Sequence, residues 1–246
     1  MARAGRRRRV LSDNLSRQIV ALGGAGFSDG GPWSKLDDYI LGLTRKPRPR
    51  VCFLPTAGGD ADSYVALFYR AFSPKDCQPS DLALFRRTVV DLRAFLLEQD
   101  VIYVGGGNTA NMLAIWRSHG VDRILREAWD QGIVLAGISA GAICWFEASV
   151  TDSFGLNLAG LRDGLGLISG SACPHYNSEE RRRPVYRQLV GSGFPPGYAI
   201  DDQVGLHFVD GELAEVVSSV EGRSAYEVRL EGAAVRERPL TPRILS

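Results

Sequence analysis

Short apolar runs alternating with longer helical patterns constrain this chain most. Residues 17–22, 51–55, 82–85, 101–104 and 133–137 are compact apolar segments, and each reads as a strand. Between them, residues 34–44, 61–72, 91–99 and 110–129 place apolar side chains at helical spacing. Strands that are apolar at nearly every position have no face to show water. They belong in a parallel sheet covered on both sides by helices, which makes the chain an α/β protein. Beyond Asp152 the pattern changes to turns and short alternating strands at 198–200, 204–209 and 225–230. These are expected to extend the same sheet as a mixed or antiparallel edge.

With 246 residues and 45% apolar composition, the chain is long enough for one large α/β domain, expected over residues 17–246. Five of the first nine residues are arginine, so residues 1–16 are expected to form a solvated basic tail. The net charge of +1 gives no general attraction to nucleic acid. No apolar run approaches the length needed to span a bilayer, so no membrane partner is expected. Cys52, Cys77, Cys144 and Cys173 are widely spaced with no Cys-x-x-Cys pair, which fits free thiols in a reducing cytoplasm.

The fifth strand runs into Gly137-Ile138-Ser139-Ala140-Gly141. Gly-x-Ser-x-Gly at the end of a buried strand is how a serine hydroxyl is displayed on a sharp strand-to-helix turn. A serine nucleophile needs a base, and the base needs an orienting carboxylate. Of the three histidines, His119 ends a helical pattern and His207 lies inside an alternating strand. His175 follows a strand-like run and is preceded by Pro174, which fixes the backbone before it, so His175 is the candidate base. For the acid, Asp152 and the adjacent pair Asp201-Asp202 both remain open on spacing alone; alternation allows only one of the pair to meet the imidazole. Of the two oxyanion donors, one would be the N–H of Ala140. The other would come from Gly105-Gly106-Gly107-Asn108-Thr109, whose glycines permit close approach of a substrate. Gly23-Gly24-Ala25-Gly26 fits no nucleotide-binding pattern, and no metal-ligand spacing appears. An α/β-hydrolase esterase using Ser139, Asp152 and His175 or His207, and a binding protein with an inert serine, are the alternatives.

The glycine loop at Gly105, the Gly137–Gly141 elbow some thirty residues later and Pro174-His175-Tyr176, in this order, resemble the peptidase E (aspartyl dipeptidase) family of serine peptidases, which also includes cyanophycinase. The resemblance runs over residues 18–230. It implies a class I glutamine-amidotransferase-like three-layer α/β sandwich and a serine exopeptidase that acts on short peptides, including those with an acidic first residue, without a cofactor. It implies Ser139 as nucleophile, His175 as base and Asp202 as third member, with Gly107 and Ala140 as oxyanion donors. Asn108 and Arg182 are the substrate-binding candidates it suggests, Arg182 being the nearest match to the arginine that receives an acidic side chain. A homodimer is compatible with such a chain. Ile143 departs from the family's asparagine, and the segment after His175 is shorter.

Overall fold

The computed structural model describes residues 16–29 and 34–246, so the basic N-terminal run lies outside the described residues. The first strand, β1 (Gln18–Leu22), leads to α1 (Lys35–Leu43), β2 (Arg50–Leu54), α2 (Asp62–Phe72), β3 (Gln78–Asp81), α3 (Leu92–Leu97) and β4 (Val101–Val104). There follow α4 (Thr109–His119), α5 (Val121–Asp130), β5 (Val134–Ile138) and the single turn α6 (Ala140–Ile143). The second half comprises β6 (Phe146–Thr151), β7 (Ala159–Leu161), β8 (Ile168–Cys173), α7 (Arg182–Gly191) and β9 (Gly197–Ile200). Five further strands complete it: β10 (Val204–Val209), β11 (Glu212–Ser218), β12 (Ala225–Glu231), β13 (Ala234–Leu240) and β14 (Arg243–Ile244).

Two mixed sheets result. The first has eight strands in the order β14-β11-β10-β1-β5-β4-β2-β3, with β1, β5, β4, β2 and β3 parallel. Side-chain alternation divides its two faces between two cores. Ile19, Ala21, Cys52, Leu54, Ile102 and Leu135 pack with α3, α4 and α5. Val20, Leu22, Val51, Phe53, Tyr103 and Ala136 pack with α1 and α2. Within the latter, Phe27, Phe53, Tyr64, Phe68, Phe72 and Tyr103 form a cluster of edge-on and stacked rings. Such ring pairs contribute about 0.5–1.5 kcal/mol each beyond their buried area.

The second sheet has six strands in the order β13-β12-β9-β8-β6-β7, with β6, β8 and β9 parallel. One face shares the first core through Phe146, Ile168, Ala172, Ile200 and Ala225; the other packs under α7. Here the structure corrects the expected C-terminal extension. Only β10 and β11, with the short β14, extend the first sheet, while residues 198–200 and 225–230 build the second. The chain crosses between sheets at the turn Asp201-Asp202-Gln203, where Gln203 has φ +71.

Two local expectations also shift. The third strand is Gln78–Asp81 rather than residues 82–85. Leu82 and Leu84 are buried as strand residues would be, but the N–H groups of Leu84 and Phe85 both donate to the Asp60 carboxylate instead of a ladder. The long helical pattern at 110–129 is two helices, because Gly120 adopts φ +73 between them and both ends α4 and begins α5. All four cysteines are free and buried. Among the described residues no helix is long and apolar enough to cross a membrane.

Candidate active site

Strands that are neighbours in a parallel sheet end side by side, and the site is built from two such sets. In the first sheet β5 lies between β1 and β4, with Ile138 opposite Leu22 and Gly137 opposite Val104. The segments leaving these strands are Gly23-Gly24, Ser139 and Gly105-Gly106-Gly107. In the second sheet β8 and β9 are parallel neighbours, and their ends carry His175 and the Asp201-Asp202 turn. Tyr176 N–H donates to the Ile200 carbonyl at 3.1 Å, and His175 N–H donates to the Gly23 carbonyl at 3.2 Å. Gln203 N–H donates to the Gly24 carbonyl at 3.1 Å, so the two sheet ends are joined at the site itself.

Ser139 has φ +53 and ψ −111, a conformation that L-residues adopt at a cost of about 1–3 kcal/mol and that surrounding structure must enforce. Its N–H is held by the Leu22 carbonyl at 3.0 Å, while its own carbonyl accepts from Ala142 and Ile143. The flanking glycines are required by close packing: a Cβ at Gly137 would overlap the Gly141 carbonyl, and one at Gly141 would overlap the Val104 carbonyl. The hydroxyl Oγ lies 2.8 Å from His175 Nε2, and His175 Nδ1 lies 2.7 Å from Asp202 Oδ1. A carboxylate at Nδ1 selects the tautomer in which Nδ1 carries the proton and donates it, leaving Nε2 to accept from the serine hydroxyl.

The hydrogen bond from His175 holds the Asp202 carboxyl below the ordinary aspartate range despite partial burial. Its backbone N–H donates to Asn177 Oδ1 at 2.7 Å. Asp201 turns the other way, accepting from Ser224 N–H at 3.0 Å. Asp152 is exposed, and among the described residues its side chain makes no hydrogen bond. His119 ends α4, and His207 is buried on β10, 2.7 Å from the Tyr39 hydroxyl. Ser139, His175 and Asp202 are therefore brought together, and the other histidines and Asp152 are not.

The Gly105–Gly107 loop passes against the serine: a Cβ built on Gly106 would sit 3.4 Å from Ser139 Cβ and 3.9 Å from Oγ. Among the described residues no hydrogen bond uses the N–H of Gly107 or of Ala140. Two unpaired amides flanking a displayed hydroxyl are what an acyl-transfer site needs to receive an oxyanion.

Both substrate-binding candidates have partners within the fold. Asn108 Oδ1 accepts from Asn111 N–H at 2.9 Å and caps α4, while Nδ2 donates to the Ser153 carbonyl at 3.0 Å. Both polar ends of the side chain are thus spent on the fold. Arg182 is 3% exposed; its guanidinium donates to Glu179 at 2.7 Å and to the Val150 carbonyl at 3.0 Å. Arg182 falls on the face of α7 that packs onto the second sheet.

Gly24 is the contributor that the sequence patterns missed. A Cβ there would overlap Asp202 Oδ1 and stand 2.9 Å from His175 Nδ1, so only glycine leaves room for the pair. The available signal was its place at the end of an apolar strand; its use depends on β1 being the neighbour of β5.

The sequence model of peptidase family S51 matches residues 19–216. The chain is 51% identical to the uncharacterized peptidase YgaJ of Bacillus subtilis (strain 168) over 230 residues, covering 93% of this chain and 99% of that protein. It is 26% identical to peptidase E of Pasteurella multocida (strain Pm70), covering 76% and 80% of the two chains. The crystal structure of a peptidase from an acI-B1 Actinobacterium shares the fold, with a TM-score of 0.68 at 16% identity over 93% of this chain and 96% of that one.

Proposed function

The chain belongs to peptidase family S51 and is a serine peptidase; from that premise we propose that it is an exopeptidase that cleaves short peptides through Ser139, His175 and Asp202. The observation that carries the proposal is the position of His175 between Ser139 Oγ at 2.8 Å and Asp202 Oδ1 at 2.7 Å. Nε2 takes the serine proton as Oγ attacks the scissile carbonyl carbon. The carbonyl oxygen becomes an oxyanion received by the N–H groups of Gly107 and Ala140. Asp202 keeps Nδ1 protonated and stabilises the imidazolium that forms. The imidazolium then gives its proton to the leaving amine, which departs with formation of the acyl-enzyme. Water attacks the ester, His175 takes its proton, and collapse of the second tetrahedral species returns that proton to Ser139.

Short peptides are the proposed partner, and the cytoplasm the proposed setting, since the four buried free thiols suit a reducing compartment. A preference for an acidic first residue would need a cation other than Arg182, whose guanidinium is already engaged. Dipeptides and tripeptides with acidic, neutral and apolar first residues, each offered free and N-acetylated, test the reading. Cleavage confined to free N-termini, labelling of Ser139 by a serine-reactive phosphonate and loss of turnover in Ser139→Ala are expected. Equal cleavage of acetylated peptides removes the exopeptidase assignment, and an undiminished Ser139→Ala rate removes the site.

A further inference from the structure

The Gly105–Gly107 loop holds four successive backbone N–H groups in a row with Asn108, and the structure ties down all but one. Gly105 N–H donates to the Leu54 carbonyl at 3.0 Å and Asn108 N–H to the Ala57 carbonyl at 2.8 Å. Gly106 N–H donates to a side chain, the Tyr64 hydroxyl, at 2.9 Å. The N–H of Gly107, next in line and with φ +137, is the one without a partner among the described residues. Three glycines in succession have little intrinsic preference for one conformation, so the direction of the unpaired amide depends on these ties.

Tyr64 is well placed to act as a fixed post. It projects from α2, and its ring is held edge-on to Phe53 (centroids 5.1 Å, 81°) and tilted against Phe27 (5.6 Å, 31°). The loop lies on these rings: a Cβ at Gly105 would come within 2.7 Å of Tyr64 Cε1 and 3.0 Å of Phe53. Burial raises the phenol above its ordinary range and keeps the hydroxyl neutral, and its oxygen accepts from the Gly106 amide. The aromatic cluster under the first sheet is thereby connected, through one oxygen, to the loop that touches Ser139.

We propose that Tyr64 is a positioning residue for the oxyanion hole: by accepting the Gly106 N–H, its hydroxyl sets the peptide planes that present the Gly107 N–H to the transition state. This rests on the assignment of Gly107 as an oxyanion donor above. The hydroxyl of Tyr64 meets the Gly106 amide and, among the described residues, makes no hydrogen bond to Ser139; it acts through the loop. Its contribution is confined to the stage at which the oxyanion exists, so it belongs in kcat and not in ground-state binding.

Tyr64→Phe removes the oxygen and keeps the ring packing. Losing an oxyanion donor outright typically costs about 10²–10³ in rate; here the donor stays but its direction loosens, so a fall in kcat of about tenfold is expected, with KM unchanged. Affinity for a peptidyl boronate, which forms a tetrahedral adduct on serine, should weaken by the same factor as kcat/KM. Binding of an intact dipeptide to the Ser139→Ala, Tyr64→Phe double variant should match that of Ser139→Ala alone. The proposal is overturned by a Tyr64→Phe enzyme with full kcat and full boronate affinity. It is equally overturned by one whose unfolding midpoint drops and KM rises while boronate affinity is kept, the signature of a structural role alone. An undiminished Ser139→Ala rate would overturn the site and this proposal together, whereas inactive Ser139→Ala beside unaltered Tyr64→Phe overturns the proposal only.

Discussion

Packing and backbone bonds hold the elbow of Ser139, whereas the segments that carry His175 and Asp202 add a framework of charges to their backbone bonds. On the serine side, the elbow is held by the Leu22 carbonyl, by glycines in contact with backbone, and by an aromatic cluster behind the Gly105 loop. On the acid–base side, Tyr176, next to His175, donates to Glu237 at 2.7 Å, and Glu237 also accepts from Arg183 and Arg187 at 3.0 Å. Arg183 stacks over the rings of Tyr176 and Tyr226, and Arg182 ties Glu179 to the β6 backbone. A strained nucleophile needs a rigid mount because its conformation is unfavourable in isolation.

The contrast is broken most severely at the junction. Asp202→Asn keeps the shape but not the carboxylate that fixes the His175 tautomer; kcat should fall by about 10³–10⁴, far beyond the lowering of the unfolding midpoint that loss of this carboxylate brings at neutral pH. An unchanged rate would make Asp202 dispensable and the charged half decorative.

The two halves should also respond to pH with opposite sign. Burial raises Asp37, under the serine side, from 3.8 to about 7, and its Oδ2 has no partner while Oδ1 accepts from Tyr103 at 2.9 Å. Between about pH 4 and 7 the folded chain keeps a proton that the unfolded chain has released, so this carboxyl costs stability as pH rises through that window. Asp37→Asn retains an acceptor for Tyr103 and should remove the loss. Melts at about pH 5 and about pH 8 read it, with a gain that grows from about 1–2 kcal/mol at the lower pH to about 4 kcal/mol at the higher. Asp202 has its folded pKa lowered instead, so its contribution is present above the unfolded value of 3.8 and is lost as pH falls through the folded one. A gain from Asp37→Asn that is equal at both pH values would refute the sign assigned to the serine side.

Arg182→Ala withdraws the donor from a buried carbonyl and leaves Glu179 unpaired, so a loss of about 2–3 kcal/mol in unfolding free energy is expected. If KM for peptides with an acidic first residue rises more than for neutral ones, Arg182 is a substrate ligand after all. The smallest effect belongs to Glu237→Gln. Burial alone would raise this carboxyl, but the bonds from Arg183, Tyr176 and Arg187 together hold it low. Because both arginines can turn to solvent, the cost should be about 1 kcal/mol and should shrink at high salt. A salt-independent loss would mean that the Tyr176 bond, and not the charges, holds the base.

What the chain disclosed beforehand follows the same division. The elbow around Ser139 was legible because all its requirements lie within five consecutive residues. His175 was legible from the proline before it and the strand it follows. Asp202 was not separable from Asp152 by spacing, since the pairing depends on β8 and β9 being neighbours. Gly24 was tested only as a nucleotide turn, and its purpose appears once β1 is seen beside β5. The burial of Arg182 is not legible in the run of charges around it, because it depends on which face of α7 the second sheet covers. The strand at 78–81 was missed because its residues are polar, as suits the edge of a sheet, and the apolar run beside it drew the assignment.

The burial of all four cysteines has a practical consequence. Burial pushes the thiols of Cys52, Cys77, Cys144 and Cys173 up, Cys173 to about 12, although Cys173 stands only two positions before the base. None offers the thiolate that alkylating reagents and oxidants attack. Iodoacetamide and peroxide should therefore spare the activity that a phosphonate abolishes, and this pair of reagents can tell the enzyme in a crude extract from thiol hydrolases acting on the same peptides.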